Sequence, residues 1–254
     1  IDNFYEIDLV NKVTKKLDME VDAMLRIKPG VHADTHHYVT TGHEDSKFGF
    51  IIKEGVAKKA VKQVVDSDKI NFKGLHMHIG SQVFETKVFT ESIKRMSDFI
   101  KDLNEDGIEI DEFDLGGGLG VVYTDEDDPI SIERFVKKLV DSVKDYFKER
   151  DLKLPKLMVE PGRSIAAEAG TTIYTIGSIT EVPGIRKYIA INGGMGDNLR
   201  PALYGSKYDA VVANKMDIEK NELVTVAGKC CETGDIIRKD IELNNPESGD
   251  VLAV

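Results

Sequence analysis

The sequence predicts an α/β fold in which the later half of a (β/α)8 TIM-like barrel leads into a mostly β domain. Three observations carry that expectation. Apolar residues alternate between a two-residue and a helical period, polar residues of unusual kinds gather just past the strand segments, and short β-branched runs take over near Gly170.

Taken in order, Val21, Ala23, Leu25 and Ile27 alternate and stop at Pro29-Gly30, which marks a strand and its end. Ile52, Val56, Ala60 and Val64 then recur at helical spacing. A strand is expected around residues 72 to 79, then a helix carrying Phe89, Ile93, Met96, Ile100 and Leu103. The next strand ends at Asp114-Leu115, and the helix after it presents Ile132, Phe135, Leu139, Val143 and Phe147. A fourth strand, Leu157-Met158-Val159, runs into Glu160-Pro161-Gly162. Strands separated by helices make βα units of a parallel sheet. Four such units are half a barrel, and a half barrel leaves parallel edges unpaired, so the chain is expected to be a piece of something longer. The runs at 171–176, 188–191 and 223–226 are β-branched and broken by Gly, Pro and Asn, which suggests a β-rich domain. The expected division is 1–168 and 169–254.

Composition narrows the function classes. A formal net charge of −11, with both signs mixed along the helices, argues against nucleic-acid binding. The two cysteines, Cys230 and Cys231, are adjacent, so no disulfide framework is implied and a reducing compartment is expected. The opening Ile1-Asp2-Asn3-Phe4 has no leader-like character, and no apolar run is long enough for a membrane span, so a cytoplasmic protein is expected.

The unusual residues follow the strands, which in a β/α barrel is the catalytic face. His76 and His78 of Leu75-His76-Met77-His78-Ile79-Gly80-Ser81-Gln82 are two apart and share a face of a strand. They could ligate a metal, be satisfied in the barrel core, or let His78 lie against a planar cofactor while Ser81 and backbone amides hold a phosphate. Gly116, Gly117 and Gly118 let backbone N–H groups approach an anion, though such a run can equally be a tight turn. Glu160 closes an apolar strand, where its charge needs a cation. A protonated pyridine ring is one candidate, and Arg163 of the same Glu160-Pro161-Gly162-Arg163 motif is the rival. In the β region, Arg200 stands between Leu199 and Pro201, upstream of Tyr204, and suits bidentate carboxylate recognition or a solvated surface. Cys230-Cys231-Glu232-Thr233-Gly234-Asp235 sets a thiol beside two carboxylates. Neighbouring cysteines are poor joint zinc ligands.

The order HxHIGSQ, DLGGGLG, EPGR, DNLRPALYG and CETGD resembles the fold-type III pyridoxal-phosphate-dependent decarboxylases, and within them the diaminopimelate branch. The His43 and Ser46-Lys47-Phe48-Gly49 stretch resembles that branch as well. The resemblance implies pyridoxal 5'-phosphate as cofactor, with His78 stacked on its ring and Glu160 at its ring nitrogen. It gives the phosphate to Ser81, Gly116, Gly117, Gly118 and Gly162, with Arg163 beside them. Arg163, Arg200 and Tyr204 would bind the distal end of an amino-acid substrate. Cys231 and Glu232 would reach across a homodimer interface, Cys231 near the decarboxylated carbon and Glu232 at the distal amino group. The implied reaction is decarboxylation of meso-2,6-diaminopimelate to L-lysine, the last step of lysine biosynthesis.

The chain departs from the family at two places. It stops at Val254, before the late Tyr-containing segment that the resemblance implies at the cofactor phosphate. No Tyr-Ala-x-Lys-Ala-like segment with the Schiff-base lysine occurs, and Lys28, the nearest to a strand end, precedes Pro29 and lacks that context. A truncated and largely inactive chain is therefore expected. The other readings are a β/α-barrel metallohydrolase using His76 and His78, a non-catalytic homologue that binds or regulates, and a decarboxylase of ornithine, arginine or carboxynorspermidine.

Overall fold

The architecture comes from a computed structural model that describes residues 1–31 and 46–254. The chain forms two compact units, residues 1–121 with 129–165, and residues 122–128 with 166–254. His43 lies outside the described residues.

In the first unit, helix α1 (Phe4–Leu17) starts at Asn3, whose side chain accepts from the Glu6 N–H, while Glu6 accepts from the Asp2 N–H. This reciprocal cap was legible in Asn3-Phe4-Tyr5-Glu6, yet the sequence reading assigned no helix there. Ile7 faces the core, whereas Tyr5, Leu9, Val13 and Leu17 lie exposed, so a second apolar stripe blurs the periodicity.

The strands are β1 (Val21–Lys28), β2 (Phe50–Ile51), β3 (Ile70–His76), β4 (Glu112–Asp114) and β5 (Lys156–Met158), in the order β2-β1-β3-β4-β5. All neighbours pair in parallel. The sheet thus has five strands where the periodicity suggested four, because two residues of β2 cannot display an alternation. Helices α2 (Val56–Val65), α3 (Thr86–Glu105) and α4 (Ile132–Glu149) follow β2, β3 and β4. Their apolar faces pack with Leu25, Ile27, Leu75 and Phe113 of the strands into one core. Ile132 is a correction: as the first residue of α4 it is 53% exposed, and the core stripe begins at Phe135. Gly74 is required within β3, because a Cβ there would stand 1.8 Å from the Glu112 carbonyl oxygen.

The second unit holds a six-stranded sheet in the order β10-β9-β7-β6-β11-β8. Its strands are β6 (Ile173–Val182), β7 (Arg186–Ile191), β8 (Val211–Val212), β9 (Glu222–Ala227), β10 (Ile236–Leu243) and β11 (Val251–Ala253). Tyr174, Ile176, Ile189, Ile191, Val224 and Val226 anchor its separate core. The short helices α5 (Arg163–Ala166) and α6 (Arg200–Tyr204) carry two of the arginines singled out above.

Phe89 of α3 meets Phe135 of α4 edge-on at 4.8 Å between ring centroids, and Phe89 is fully buried. Phe89→Ala should cost about 3–5 kcal/mol of stability through lost contacts and a cavity. A shift of less than about 1 kcal/mol in urea denaturation would contradict this packing.

Candidate functional site

Parallel register decides which side chains of the first unit meet. Arg26 of β1 is the partner of His76 on β3, and His76 is the partner of Asp114 on β4. Asp114 in turn is opposite Met158 on β5, and Glu160 lies two residues beyond Met158. Side chains in one register row leave the sheet on the same face, and residues two apart on a strand share that face. Arg26, His76, Asp114 and Glu160 accordingly line one cavity of about 380 Å³, together with Met24 and Asp22.

Within it, His76 Nε2 lies 3.0 Å from Glu160 Oε2, and the imidazole N–H donates to the carboxylate. Glu160 therefore pairs with His76, while Arg163 Nη2 donates to the Ser81 hydroxyl at 2.9 Å. The Glu160–Arg163 pair weighed from the sequence is corrected in favour of these two bonds. Glu160 is 55% exposed at its side chain, so its ion pair contributes at most about 1 kcal/mol to stability and chiefly sets where the carboxylate points. Asp114 is buried, and that burial pushes its carboxyl above the ordinary range, with the Glu160 charge adding to the effect. The bond from the Gly116 N–H to Asp114 Oδ1, 2.8 Å long, works in the other direction.

The glycine loop is stitched to its neighbours on both sides. Leu115 N–H donates to the Met158 carbonyl, and Glu160 N–H donates to the Gly116 carbonyl. Val83 N–H donates to the Gly118 carbonyl, and the Gln82 amide exchanges two hydrogen bonds with the Val121 backbone. This packing explains the glycines. A Cβ on Gly116, Gly117 or Gly118 would come within 2.2–2.3 Å of the carbonyl oxygens of Met77, Glu160 and Gly80, respectively. Gly162 differs, with open space around its would-be Cβ.

His78 is joined to the same loop, because the Gly117 N–H points at its Nδ1 from 3.3 Å. Nδ1 thus accepts, and the neutral ring carries its proton on Nε2. Burial holds the His78 imidazole below its ordinary value, Arg26 and His76 press in the same direction, and Glu160 opposes them. Its surroundings thus favour the neutral ring.

The sequence motifs mark Asp114 only as a strand end and Gln82 only as a motif letter, and Arg26 stands outside them. The signal that could have found Arg26 is its even-numbered place on β1, opposite in phase to the buried Leu25 and Ile27. A metal shared by His76 and His78 is not what the geometry offers. The His and carboxylate donor atoms that approach within 4.8 Å of one another, among the described residues, belong to His76, Asp114 and Glu160. Lys28 ends β1 and donates to the Ser46 carbonyl at 2.9 Å.

In the second unit, the Arg200 guanidinium donates to the Tyr208 hydroxyl at 2.8 Å and to Ser206 at 3.3 Å, and it lies 5.3 Å from the Tyr204 ring centroid. Cys230 and Cys231 are both free and exposed, and Glu232 is exposed beside them. A cavity of about 500 Å³ is bordered by Arg186, Tyr188, Cys230, Glu232, Thr233 and Lys239.

A family model described as "Pyridoxal-dependent decarboxylase, pyridoxal binding domain" matches residues 1–167, the stretch that contains the whole strand-end cluster. The chain belongs to this family. Among curated relatives, the diaminopimelate decarboxylase of Bacillus subtilis is 44% identical over 255 residues, and that of Methanocaldococcus jannaschii is 36% identical over 254. Each alignment takes in 100% of this chain but only 58% and 57% of the relative, respectively. The crystal structure of the M. jannaschii enzyme in complex with L-lysine has a TM-score of 0.88 at 34% identity, covering 100% of this chain and 57% of that one. The Helicobacter pylori enzyme with L-lysine has a TM-score of 0.83 at 28% identity, covering 100% and 60%. These relatives place the family's pyridoxal-binding fold on the five-stranded unit. The residues at these strand ends fit a phosphorylated, cationic-ring cofactor. A carboxylate is held by a histidine on β3, a guanidinium touches a serine hydroxyl, and a loop of side-chain-free residues packs between them.

Replacing Glu160 by Gln removes a negative charge that favours protonated His78. The His78 titration midpoint, already lowered by burial, should therefore move further down. Ring-proton NMR titration checks this, and an upward shift would contradict the assigned surroundings of His78.

Proposed function

We propose that this chain holds the cofactor and helps bind the substrate in a pyridoxal-phosphate-dependent decarboxylase that converts meso-2,6-diaminopimelate to L-lysine. The observation that carries the reading is the Glu160 carboxylate, aimed by His76, at the same strand ends as the glycine loop and the Arg163–Ser81 pair. Bound pyridoxal phosphate supplies the electron sink into which the carbon–carbon bonding pair can flow when carbon dioxide leaves.

The residues divide that work. Glu160 would accept a hydrogen bond from the protonated ring nitrogen and keep the ring cationic, with His76 steadying the carboxylate. His78 offers an uncharged planar face, since burial suppresses its protonation. Ser81, Gly118 and Gly162 would receive the phosphate and Arg163 would supply positive charge beside Ser81, while the N–H groups of Gly116 and Gly117, held by Asp114 and His78, shape the loop. Arg200 and Tyr204 would bind the distal end of the substrate. Cys231 acts near the decarboxylated carbon and Glu232 takes the distal ammonium, both in a site shared across a homodimer. No helix among the described residues is long and apolar enough to cross a membrane, and the protein is proposed to act in the cytoplasm.

The test is carbon dioxide release by the protein expressed from its complete open reading frame and supplied with pyridoxal phosphate. Release from meso-diaminopimelate, with little from ornithine or arginine, is the expected result. Preference for either of those amines would reassign the substrate, and absence of release would leave a binding homologue. Glu160→Ala should lower kcat by roughly 10²-fold or more while the phosphate contacts persist.

A further inference from the structure

Helix α6 is five residues long, and the chain that follows it returns to its first residue. Gly205 stands at φ 64°, a left-handed conformation that glycine adopts freely, and its N–H donates to the Pro201 carbonyl at 3.0 Å. The next N–H, that of Ser206, donates to the Arg200 carbonyl at 3.4 Å. This reversal brings two hydroxyls to the Arg200 side chain. Nε donates to Tyr208 at 2.8 Å, and Nη2 donates to Ser206 at 3.3 Å. The Nε–H and one Nη2–H leave a guanidinium from the same edge, so these two bonds occupy that edge. The other edge, formed by Nη1 and Nη2, makes no hydrogen bond among the described residues. Its two N–H groups run parallel, the arrangement that a carboxylate meets with both oxygens.

Tyr208 is itself braced. Its ring meets the Tyr123 ring at 4.7 Å between centroids, and the Asp209 N–H donates to the Tyr123 carbonyl at 3.2 Å. Asp127 Oδ2 accepts from the N–H groups of Tyr123 and Thr124, both at 2.9 Å, which fixes the turn that carries Tyr123.

We infer that Tyr208 is a positioning residue for the proposed reaction: braced by Tyr123 and joined by Ser206, its hydroxyl engages one edge of Arg200 and presents the other to a substrate carboxylate. The inference rests on the proposed function for the role of Arg200. It adds which N–H groups of that arginine meet the carboxylate, and what aims them. Without the two acceptors the long side chain must be ordered at the expense of substrate binding.

The test has two arms. In the whole protein supplied with pyridoxal phosphate, Tyr208→Phe keeps the ring and removes the acceptor. KM for meso-2,6-diaminopimelate should rise about tenfold with kcat within about twofold, the pattern of binding lost at the unreacting end of the substrate. In an Arg200→Lys background the same substitution should change KM by less than about twofold, because Tyr208 acts through the guanidinium. An unchanged KM, a loss in kcat alone, or an equal effect in both backgrounds would overturn the inference. The second arm needs neither cofactor nor substrate. Nitrogen-15 NMR of the 254-residue chain follows the Arg200 Nε–H, identified by its loss in Arg200→Lys. It should exchange with water at least about tenfold more slowly than the N–H groups of exposed arginines, and Tyr208→Phe should abolish the difference. Rapid exchange in the unaltered chain would overturn the inference. If circular dichroism shows that Tyr208→Phe does not fold, Ser206→Ala is judged on the same split between KM and kcat. If neither folds, the exchange rate in the unaltered chain decides. A slow Nε–H released by Tyr208→Phe, in a whole protein that does not decarboxylate meso-diaminopimelate, would keep Tyr208 as the residue that orients Arg200 and discard the functional reading.

Discussion

Parallel register among β1, β3 and β4 is the constraint on which the site depends. It places Arg26, His76 and Asp114 in one row across three strands, and the chain beyond β5 brings Glu160 to the same face. A slip of one residue would turn the row toward the helices and expose Leu25, Leu75 and Phe113. The apolar core and the polar row therefore specify one another. Leu25, Leu75 and Phe113 hold the register, and the register delivers the charged groups.

That placement creates an electrostatic problem and its answer together. Two carboxylates, Asp114 and Glu160, approach one another where burial already disfavours the Asp114 charge. His76 engages Glu160, and the Gly116 N–H engages Asp114, so each carboxylate has a separate donor. The second unit shows the same device in another form. Asp235, buried, is held by backbone N–H groups from two loops. In both units glycines make the close approach possible, for the reason that any Cβ would occupy the space of a carbonyl or carboxylate oxygen.

Much of this was legible in the sequence. The alternation from Val21 to Ile27 marked β1, and the helical spacing from Phe89 to Leu103 marked α3, because both segments are long and have one apolar face. The unusual residues after the strands were recognisable as a group, because the ends of parallel strands share one edge of the sheet. The partner of Glu160 was not legible, because the choice between Arg163, three residues away, and His76, 84 residues away, depends on strand order and register. β2 was too short to show a period, and the exposed Tyr5, Leu9, Val13 and Leu17 obscured α1 despite its cap. The bond between Asp235 and Met195 spans 40 residues, a pairing no local pattern announces.

The most direct measurement is a crystal structure of the chain soaked with pyridoxal phosphate. The phosphate is expected against Gly118, Gly162 and Ser81, with the ring nitrogen facing the Glu160 carboxylate and His76 still bonded to it. Density for the cofactor elsewhere, or a ring whose nitrogen turns away from Glu160, would contradict the account.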